Sequence, residues 1–373
     1  MVLASRNLAP FRILHVLRAP IGGLFRHVCD LALEQTARGH AVGVVADRST
    51  GGESSEEALK ALSAKLKLGV SRIPMSRHAG LSDIAAVRYV ATHARQLNAS
   101  VVHGHGAKGG AFARLGAGKA LRVYTPHGGS LHFSRANPVG FAYLGVETML
   151  LKRTDLALFE SEYAKSIFEQ KIGKPNGLSA VVHNGVRPEE FEPVTAGPNA
   201  ADVLFVGELR KLKGVDVLIE AIALLKSRRA VIVGNGPDRD AFVSLAKARG
   251  LEAQINFAGA MPARAAFTKG RILAVPSRAE SLPYIVLEAI AAGMSVVATK
   301  VGGIPEIFGA DANALIPPGD AAALASAIQA RLADGEGAQK ARLRSRVSSL
   351  FTVMAMTDSI LGAYERALAS RNA

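Results

Sequence analysis

Short apolar runs alternate along the chain with longer stretches in which apolar and polar residues are mixed. The short runs are typical of buried β-strands, and the mixed stretches are typical of helices with one apolar face. When strand and helix alternate throughout a chain, the strands usually form parallel sheets that are covered by helices on both faces. The pattern therefore predicts an α/β protein.

The first half of the chain contains seven predicted strands, at residues 12–17, 41–46, 70–74, 101–103, 122–125, 156–159 and 180–182. The helices predicted between them include residues 24–38, 55–66, 83–97 and 161–171. After an interruption the alternation restarts, with strands at residues 203–206, 230–233, 255–257, 272–275 and 295–298. The repetition predicts two similar Rossmann-like domains that face each other across a cleft.

The interruption is rich in proline and acidic residues, which is typical of a linker. We predict an N-terminal domain at residues 1–186, a linker at residues 187–200 and a C-terminal domain at residues 201–357. Ligands of open α/β sheets bind beyond the carboxyl ends of the strands. Each domain therefore offers one wall of a binding site.

The net charge of +14 suggests an acidic partner. The candidates are nucleic acid, an anionic membrane surface and a phosphate-bearing substrate. The chain has no tryptophan, and its basic residues are not interleaved with aromatic ones, so a stacking platform for single strands is not expected. We favour a membrane surface or a phosphate-rich ligand over nucleic acid. An ordinary solvated surface is the alternative.

The rest of the composition indicates a cytoplasmic protein. Cys29 is the single cysteine, so no internal disulfide can form, and we expect a buried, inert thiol in a reducing compartment. No apolar run approaches the roughly 18 residues of a spanning helix. The leader, residues 1–10, lacks the apolar core of a signal peptide.

Two carboxylates surround a predicted strand-to-helix junction in the second half. Glu280 follows the strand at residues 271–276, and Glu288 lies within the helix predicted at residues 283–292. Backbone N–H groups near Ser281 and Leu282, at the start of this helix, are expected to bind phosphate oxygens. One carboxylate can accept hydrogen bonds from sugar hydroxyls and the other from a ribose. The arrangement predicts a site for a nucleotide sugar.

Glycines and histidines mark the ends of three predicted strands in the first half. Gly22 and Gly23 open a helix and let an oxyanion approach the backbone, although many such pairs are simple turns. His103 and His105 alternate, which suggests metal ligands, but no carboxylate lies nearby in sequence. We therefore expect no metal there, and expect these histidines to line the cleft or to be packed. Lys108 is a candidate for meeting an acidic acceptor.

A second possible metal motif occurs in the second half. Asp238 and Asp240 form an Asp-x-Asp sequence at a predicted helix start. Aspartates at this position more simply cap the helix and complement its dipole. We therefore predict no metal at these residues.

The glutamates 280 and 288, with seven residues between them, resemble the E-x7-E motif of retaining glycosyltransferases of family 4, which have the two-domain GT-B fold. The resemblance implies that Glu280 holds hydroxyls of the donor sugar and that Glu288 holds the ribose. His127, in the segment Tyr-Thr-Pro-His-Gly, resembles the family histidine that reaches the donor sugar from the first domain. Gly22 and Gly23 match the first-domain loop near the donor phosphates or the acceptor.

Residues 207–214 resemble the family's G-R-L-x-x-x-K-G element, whose arginine and lysine neutralise the diphosphate. Lys213 matches the lysine, whereas Glu208 occupies the arginine position, so Arg210 is the candidate replacement. The family also places its final helix, here residues 358–373, back on the N-terminal domain. Two further segments resemble family elements, residues 183–186 at the domain junction and residues 301–306 in a glycine turn.

The resemblance implies transfer, with retention, of a sugar from a nucleoside diphosphate donor to a hydroxyl of a glycan or lipid-linked acceptor, without a cofactor or metal. Combined with the basic charge, it suggests lipopolysaccharide or surface polysaccharide assembly at the inner face of the membrane. A sugar-nucleotide epimerase on the same fold and a basic nucleic-acid-binding protein are the alternatives.

Overall fold

The computed structural model describes residues 10–128, 133–334 and 337–372. The chain forms two compact units. Unit 1 contains residues 1–182 and 353–373, and unit 2 contains residues 183–352. Residues 1–9 of the predicted leader lie outside the described part of the chain, as do residues 129–132.

Unit 1 is built on a seven-stranded parallel sheet with the strand order β3-β2-β1-β4-β5-β6-β7. The strands are β1 Arg12–Leu17, β2 Ala41–Asp47, β3 Val70–Ile73, β4 Val101–His105, β5 Leu121–Thr125, β6 Leu156–Phe159 and β7 Leu178–Val181. The helices of this unit are α1 Gly22–Ala37, α2 Gly52–Ser63, α3 Leu81–Gln96, α4 Gly106–Gly116, α5 Pro138–Leu150, α6 Glu162–Lys171 and, from the end of the chain, α14 Val353–Asn372.

Helices cover both faces of this sheet, which explains why its strands are almost continuously apolar. Successive side chains of a strand point to opposite faces. Ile13 and Leu17 of β1 accordingly pack in the core formed with α1, α2 and α14. Leu14 and Val16 pack in a second core, formed with α3 and α4.

Unit 2 is built on a five-stranded parallel sheet with the strand order β10-β9-β8-β11-β12. Its strands are β8 Ala201–Val206, β9 Ala230–Val233, β10 Ile255–Gly259, β11 Gly270–Val275 and β12 Ser295–Ala298. Its helices are α7 Val215–Leu224, α8 Arg239–Ala248, α9 Ala263–Phe267, α10 Tyr284–Ala291, α11 Ile304–Phe308, α12 Ala321–Asp334 and α13 Ala338–Leu350. Short 3-10 helices occupy Leu151–Arg153 in unit 1 and Pro188–Phe191, Lys211–Lys213 and Gly309–Ala314 in unit 2.

The prediction of two α/β domains with parallel sheets is confirmed, and all twelve predicted strands are present. Local sequence also determines helix starts. The Ser161 hydroxyl accepts a hydrogen bond from the Ala164 N–H at 3.0 Å and caps α6. The Asn137 side chain caps α5 in the same way, with Pro138 at the first helical position.

The units divide at positions that differ from the predicted boundaries. The chain leaves unit 1 after Val182, and the segment expected to be a linker, residues 187–200, packs on unit 2. Phe191 and Val194 contact the apolar core there, and the Val194 N–H donates to the Ala292 carbonyl at 3.0 Å. The final helix begins at Val353, five residues before the predicted position, because Val353 and Met356 are buried in the core of unit 1.

None of the helices in the described ranges is both long enough and apolar enough to cross a bilayer.

Candidate functional site

The structure brings together two predicted site residues of unit 2 that are 67 positions apart. The Lys213 ammonium donates to both carboxylate oxygens of Glu280, at 2.7 and 2.9 Å. The Ser277 hydroxyl donates to the same carboxylate at 2.7 Å. The Glu280 side chain is 9% exposed and that of Lys213 is 29% exposed. The carboxylate is therefore held firmly, and the ammonium remains accessible to solvent.

Glycines allow the loops around Glu280 to pack backbone against backbone. Gly302 has a φ of +58°, and a Cβ there would lie 1.8 Å from the Glu280 carbonyl oxygen. Gly214 has a φ of +73°, and a Cβ there would lie 2.0 Å from the Pro276 carbonyl oxygen. No other residue fits at either position without displacing backbone. The loops that follow β8, β11 and β12 thus form one rigid rim.

A further ion pair, which was not predicted, joins the loop after β11 to the first turn of α7. The Arg278 guanidinium donates to both carboxylate oxygens of Asp216, at 2.7 and 2.8 Å. The Arg278 N–H also donates to the Leu212 carbonyl at 2.8 Å. The hydrogen bonds that Arg278 donates to Asp216 raise the pKa of its guanidinium. Because 62 residues separate the partners, no local motif signals this pair.

Two predicted residues, Ser281 and Leu282, immediately precede α10, and a third, Glu288, lies within it. The Leu282 side chain is buried, so only its backbone is available to a ligand, and its carbonyl accepts from the Asn184 amide at 2.9 Å. The neighbouring Ser281 carbonyl accepts from the Gly303 N–H at 2.7 Å. Glu288 is half-buried within the helix. Asn184, in the segment at the predicted domain junction, is buried, and its amide holds this loop in place.

Arg210 does not occupy the same position as Lys213. Its guanidinium is about half exposed and lies 3.7 Å from the Glu208 carboxylate. Its positive charge is therefore partly offset by the residue that occupies the family arginine position.

The two aspartates at the start of α8 differ in their contacts. Asp238 occupies the N-cap position of α8, but its side chain does not bond to the first turn of that helix. Its carboxylate instead accepts from the Lys211 backbone N–H at 2.7 Å and holds the loop after β8. Asp240 is 99% exposed beside Arg239.

Unit 1 carries the other predicted residues at the carboxyl ends of its central strands. α1 begins at Gly22, two residues before the predicted start, and Gly22 has a φ of +66°. Gly23 is exposed in the first turn. His127 follows β5 and has a φ of +50°, which is uncommon for a residue with a side chain. Lys108 forms an ion pair with Asp83 at 2.6 Å, so its charge is already balanced within unit 1.

A chain of hydrogen-bonded imidazoles leads from the interior of unit 1 to His127. The His15 Nε2 lies 2.8 Å from the Gln35 side-chain oxygen, and the His15 Nδ1 lies 2.9 Å from the His105 Nε2. The His105 Nδ1 in turn lies 3.0 Å from the His127 Nε2. The Gln35 oxygen can only accept, so His15 donates through Nε2 and accepts at Nδ1. A neutral imidazole has one N–H, so His105 in turn donates through Nε2 to His15, and His127 donates through Nε2 to His105. His15 and His105 are buried, and His127 is half-buried.

His103, two residues before His105 on the same face of β4, is satisfied separately. Its Nδ1 lies 2.7 Å from the Tyr364 hydroxyl, and its Nε2 lies 2.8 Å from the Thr125 hydroxyl. The expectation of a packed histidine thus describes His103, which is fully buried.

Burial keeps this histidine cluster neutral at physiological pH. It lowers the pKa of His15 to about 4. Burial, with a smaller contribution from neighbouring imidazoles, also lowers the pKa of His103, His105 and His127 well below the usual value. Desolvation disfavours the charged form of an imidazole, so these rings are available as neutral donors and acceptors.

Both halves of the chain match known families. Residues 21–190 match the family described as "Glycosyltransferase Family 4", and residues 186–347 match "Glycosyl transferases group 1". The chain is 30% identical over 213 residues to the D-inositol 3-phosphate glycosyltransferase of Mycobacterium ulcerans (strain Agy99), covering 50% of this chain and 45% of that protein. It is 26% identical over 299 residues to a phosphatidylinositol N-acetylglucosaminyltransferase subunit of Arabidopsis thaliana, covering 76% of this chain and 65% of that protein. The matches thus span about half to two thirds of the curated relatives.

Solved structures share the fold over almost the whole chain. Anabaena Alr3699/HepE in complex with UDP superposes with a TM-score of 0.78 at 21% identity, covering 95% of this chain and all of that chain. Sucrose-phosphate synthase from Thermosynechococcus elongatus gives a TM-score of 0.79 at 20% identity, covering 96% of this chain and all of that chain.

The two parallel-sheet domains therefore define a protein of the GT-B class. With both units matched to its families, the chain belongs to the glycosyltransferases of family 4 type, as the motif resemblance had indicated.

Proposed function

We propose that this protein transfers a sugar from a nucleoside diphosphate donor to a hydroxyl of a glycan or lipid-linked acceptor, with retention of configuration and without a metal. The observation that carries the proposal is the contact of Lys213 with Glu280 at the rim formed by the loops after β8, β11 and β12. A basic group and a carboxylate at the carboxyl edge of a parallel sheet suit a ligand that bears both phosphate and hydroxyl groups.

Lys213 stabilises the negative charge that develops on the departing diphosphate. A positioned charge in a site with little water can contribute several kcal/mol to this step, and removing one such group typically costs about 100- to 1,000-fold in turnover. Arg210 assists from the exposed side of the same loop. The backbone N–H groups of Ser281 and Leu282 lie near the start of α10, where the helix dipole favours phosphate.

Glu280 orients the donor sugar by accepting hydrogen bonds from its hydroxyls, and Glu288 binds the ribose. Hydrogen bonds from Ser277 and Lys213 hold the Glu280 carboxylate in place. When the diphosphate binds, Lys213 exchanges part of its contact with Glu280 for phosphate oxygens. His127 supports the sugar, and the loop at Gly22 and Gly23 lies near the donor phosphates or the acceptor.

The acceptor is a glycolipid in lipopolysaccharide or surface polysaccharide assembly, reached at the inner face of the membrane. Two observations support a lipid-linked acceptor: the net charge of +14, and the similarity to a protein named for phosphatidylinositol glycosylation. Electrostatic recruitment weakens with salt. Binding to vesicles containing an anionic lipid should therefore fall as salt rises, and salt-independent binding would contradict the recruitment.

The first experiment is thermal stabilisation of the full chain by UDP, GDP, ADP and their sugar conjugates, with a short DNA duplex alongside. A ligand at about 100 times its dissociation constant adds roughly 2.7 kcal/mol of stability. Stabilisation by one nucleotide supports the donor site and identifies the base. Stabilisation by DNA alone would favour the nucleic-acid-binding alternative.

Substitutions then test the site itself. Glu288→Ala should weaken donor binding, while Glu280→Ala and Lys213→Ala should mainly reduce turnover. Glu252→Ala, an exposed glutamate of the same unit, is the matched control. Near-normal activity in all three site variants would contradict the assignment. Epimerised donor formed without an acceptor would instead favour the epimerase.

A further inference from the structure

Three imidazoles in unit 1 converge on one point, although they come from three separate segments. His27 lies in the second turn of α1, His105 ends β4 and His127 follows β5. One ring nitrogen of each lies within 4.8 Å of a ring nitrogen of both others. The His27 and His127 rings meet edge to face with their centres 4.7 Å apart. We propose that His27, His105 and His127 form a three-histidine site for a divalent cation of the Zn²⁺ class.

The spacing suits such an ion after a small adjustment. Zinc binds imidazole nitrogen at about 2.0–2.1 Å in tetrahedral geometry, which separates neighbouring ligand nitrogens by roughly 3.3 Å. The His105 Nδ1 and the His127 Nε2 lie 3.0 Å apart. They need to separate by only a few tenths of an ångström, while His27 closes the remaining gap by rotation of its side chain.

The hydrogen-bonded chain behind His105 prepares it as a ligand. His105 donates through Nε2 to His15, and His15 donates through Nε2 to the Gln35 oxygen. The Nδ1 lone pair of His105 is therefore directed towards His127. Metal-binding histidines commonly have such a partner on the second nitrogen, because it fixes the tautomer and the orientation of the ring. His127 needs only to move its proton from Nε2 to Nδ1.

Neutrality and access also favour binding. A metal ligand must be an unprotonated imidazole, and burial already lowers the pKa of His105 and His127 well below the usual value. His127 is half-buried, so an ion can enter from its side, and a fourth coordination position is left for water. A second group, formed by His15, His103 and His105, meets the same distance criterion. It is a poorer site, because both ring nitrogens of His103 already bond to Tyr364 and Thr125.

The consequence for activity rests on the proposed function. The sugar transfer proposed above needs no metal, but it uses His127 to support the donor sugar. An ion that coordinates His127 removes this side chain from the sugar. Zn²⁺ should therefore inhibit transfer reversibly, and a chelator should restore it.

Direct titration tests the site without any nucleotide. The full chain, freed of metal with EDTA and exchanged into buffer, is titrated with Zn²⁺ against a competing chelator dye, and with Co²⁺ followed by visible absorption. We expect one strong site and the intense Co²⁺ bands of a four-coordinate ion. His27→Gln and His127→Gln should each weaken binding by more than the 10- to 100-fold that loss of an outer-shell partner typically costs.

His78→Gln is the matched control, because His78 is an exposed histidine of the same unit and can only contribute adventitious binding. It should bind Zn²⁺ like the unchanged protein, and far-UV circular dichroism should show that all three variants are folded. Equal binding by all variants, or no strong site in the unchanged protein, would overturn the proposal. If Zn²⁺ binds at this site but transfer is not inhibited, the site stands and the inhibitory role is wrong.

Discussion

The substitution Gly110→Ala tests how tightly α4 packs on the sheet of unit 1. A Cβ at Gly110 would lie 2.2 and 2.3 Å from two carbons of the Tyr124 ring. This ring is fully buried, with the Arg114 guanidinium 3.9 Å from its centre and its hydroxyl donating to Glu147 at 3.3 Å. Gly145→Ala in α5 is the matched control, because Gly145 is exposed and a Cβ there meets no atom within 4 Å.

The two substitutions should have opposite effects on the free energy of unfolding. Alanine is favoured over glycine inside a helix by up to about 1 kcal/mol, and Gly145→Ala should gain roughly this amount. At Gly110 the separation must grow from 2.2 Å to the ordinary contact range, which begins at 3.4 Å. Overpacking of this kind typically costs about 1–3 kcal/mol. After the gain in helix propensity of about 1 kcal/mol is subtracted, Gly110→Ala should be destabilising by up to about 2 kcal/mol, and by more if the Arg114 contact is displaced.

Urea unfolding followed by far-UV circular dichroism measures the difference, since the chain has no tryptophan. If the dependence of the unfolding free energy on urea is unchanged, the unfolding midpoint of unit 1 should move to a lower urea concentration for Gly110→Ala. It should move to a higher urea concentration for Gly145→Ala. If Gly110→Ala is as stable as Gly145→Ala, the packing of α4 against Tyr124 is looser than the structure indicates, and the reasoning is refuted.

Three further predictions concern buried polar groups of unit 1. His15 stays neutral in the folded protein at pH values where the same side chain is protonated in the unfolded chain, so stability is lost as pH falls from about 6.5 towards 4. By pH 5 the free energy of unfolding should be lower by about 2 kcal/mol, which a lower thermal midpoint in EDTA would show. The decrease should be smaller in His15→Gln. Arg114→Met leaves the buried carboxylate of Glu147 without its ion-pair partner and should lower the free energy of unfolding in urea by about 3–5 kcal/mol. Adding Glu147→Leu should restore most of this stability, and no restoration would contradict the reasoning. Tyr364→Phe removes the hydrogen bond to His103 and should cost about 1–3 kcal/mol, and an unchanged midpoint would show that the bond contributes nothing.

The apolar runs were sufficient to predict every strand, because the central strands of each sheet are buried on both faces and contain few polar residues. The edge strands β3 and β7 of unit 1 are partly exposed. The helix α5 was not predicted. Val139, Phe141 and Met149 on this helix are exposed, so the sequence lacks the apolar stripe that marks a surface helix. Tertiary context, together with the cap at Asn137, determines this helix.

The candidate site was predictable where its chemistry is local, as in the loop that carries Glu280. Contacts between distant segments were not predictable. Period-two alternation places His103 and His105 on one face of a strand, but it does not show that His15 is their neighbour. That follows from the register of β1 with β4, in which His15 pairs with His103. His27 joins only because α1 packs over that edge.

The position of α14 has a consequence for the order in which the protein is made. Unit 1 takes its last helix from residues 353–372, and this helix supplies Met356 and Ile360 to the core and Tyr364 to His103. Unit 2, residues 183–352, is synthesised entirely between the two parts of unit 1. At the usual rate of translation, the first 182 residues wait on the order of ten seconds or longer for their final helix. The segment of unit 2 is therefore synthesised before unit 1 receives the helix that completes its core and bonds to His103.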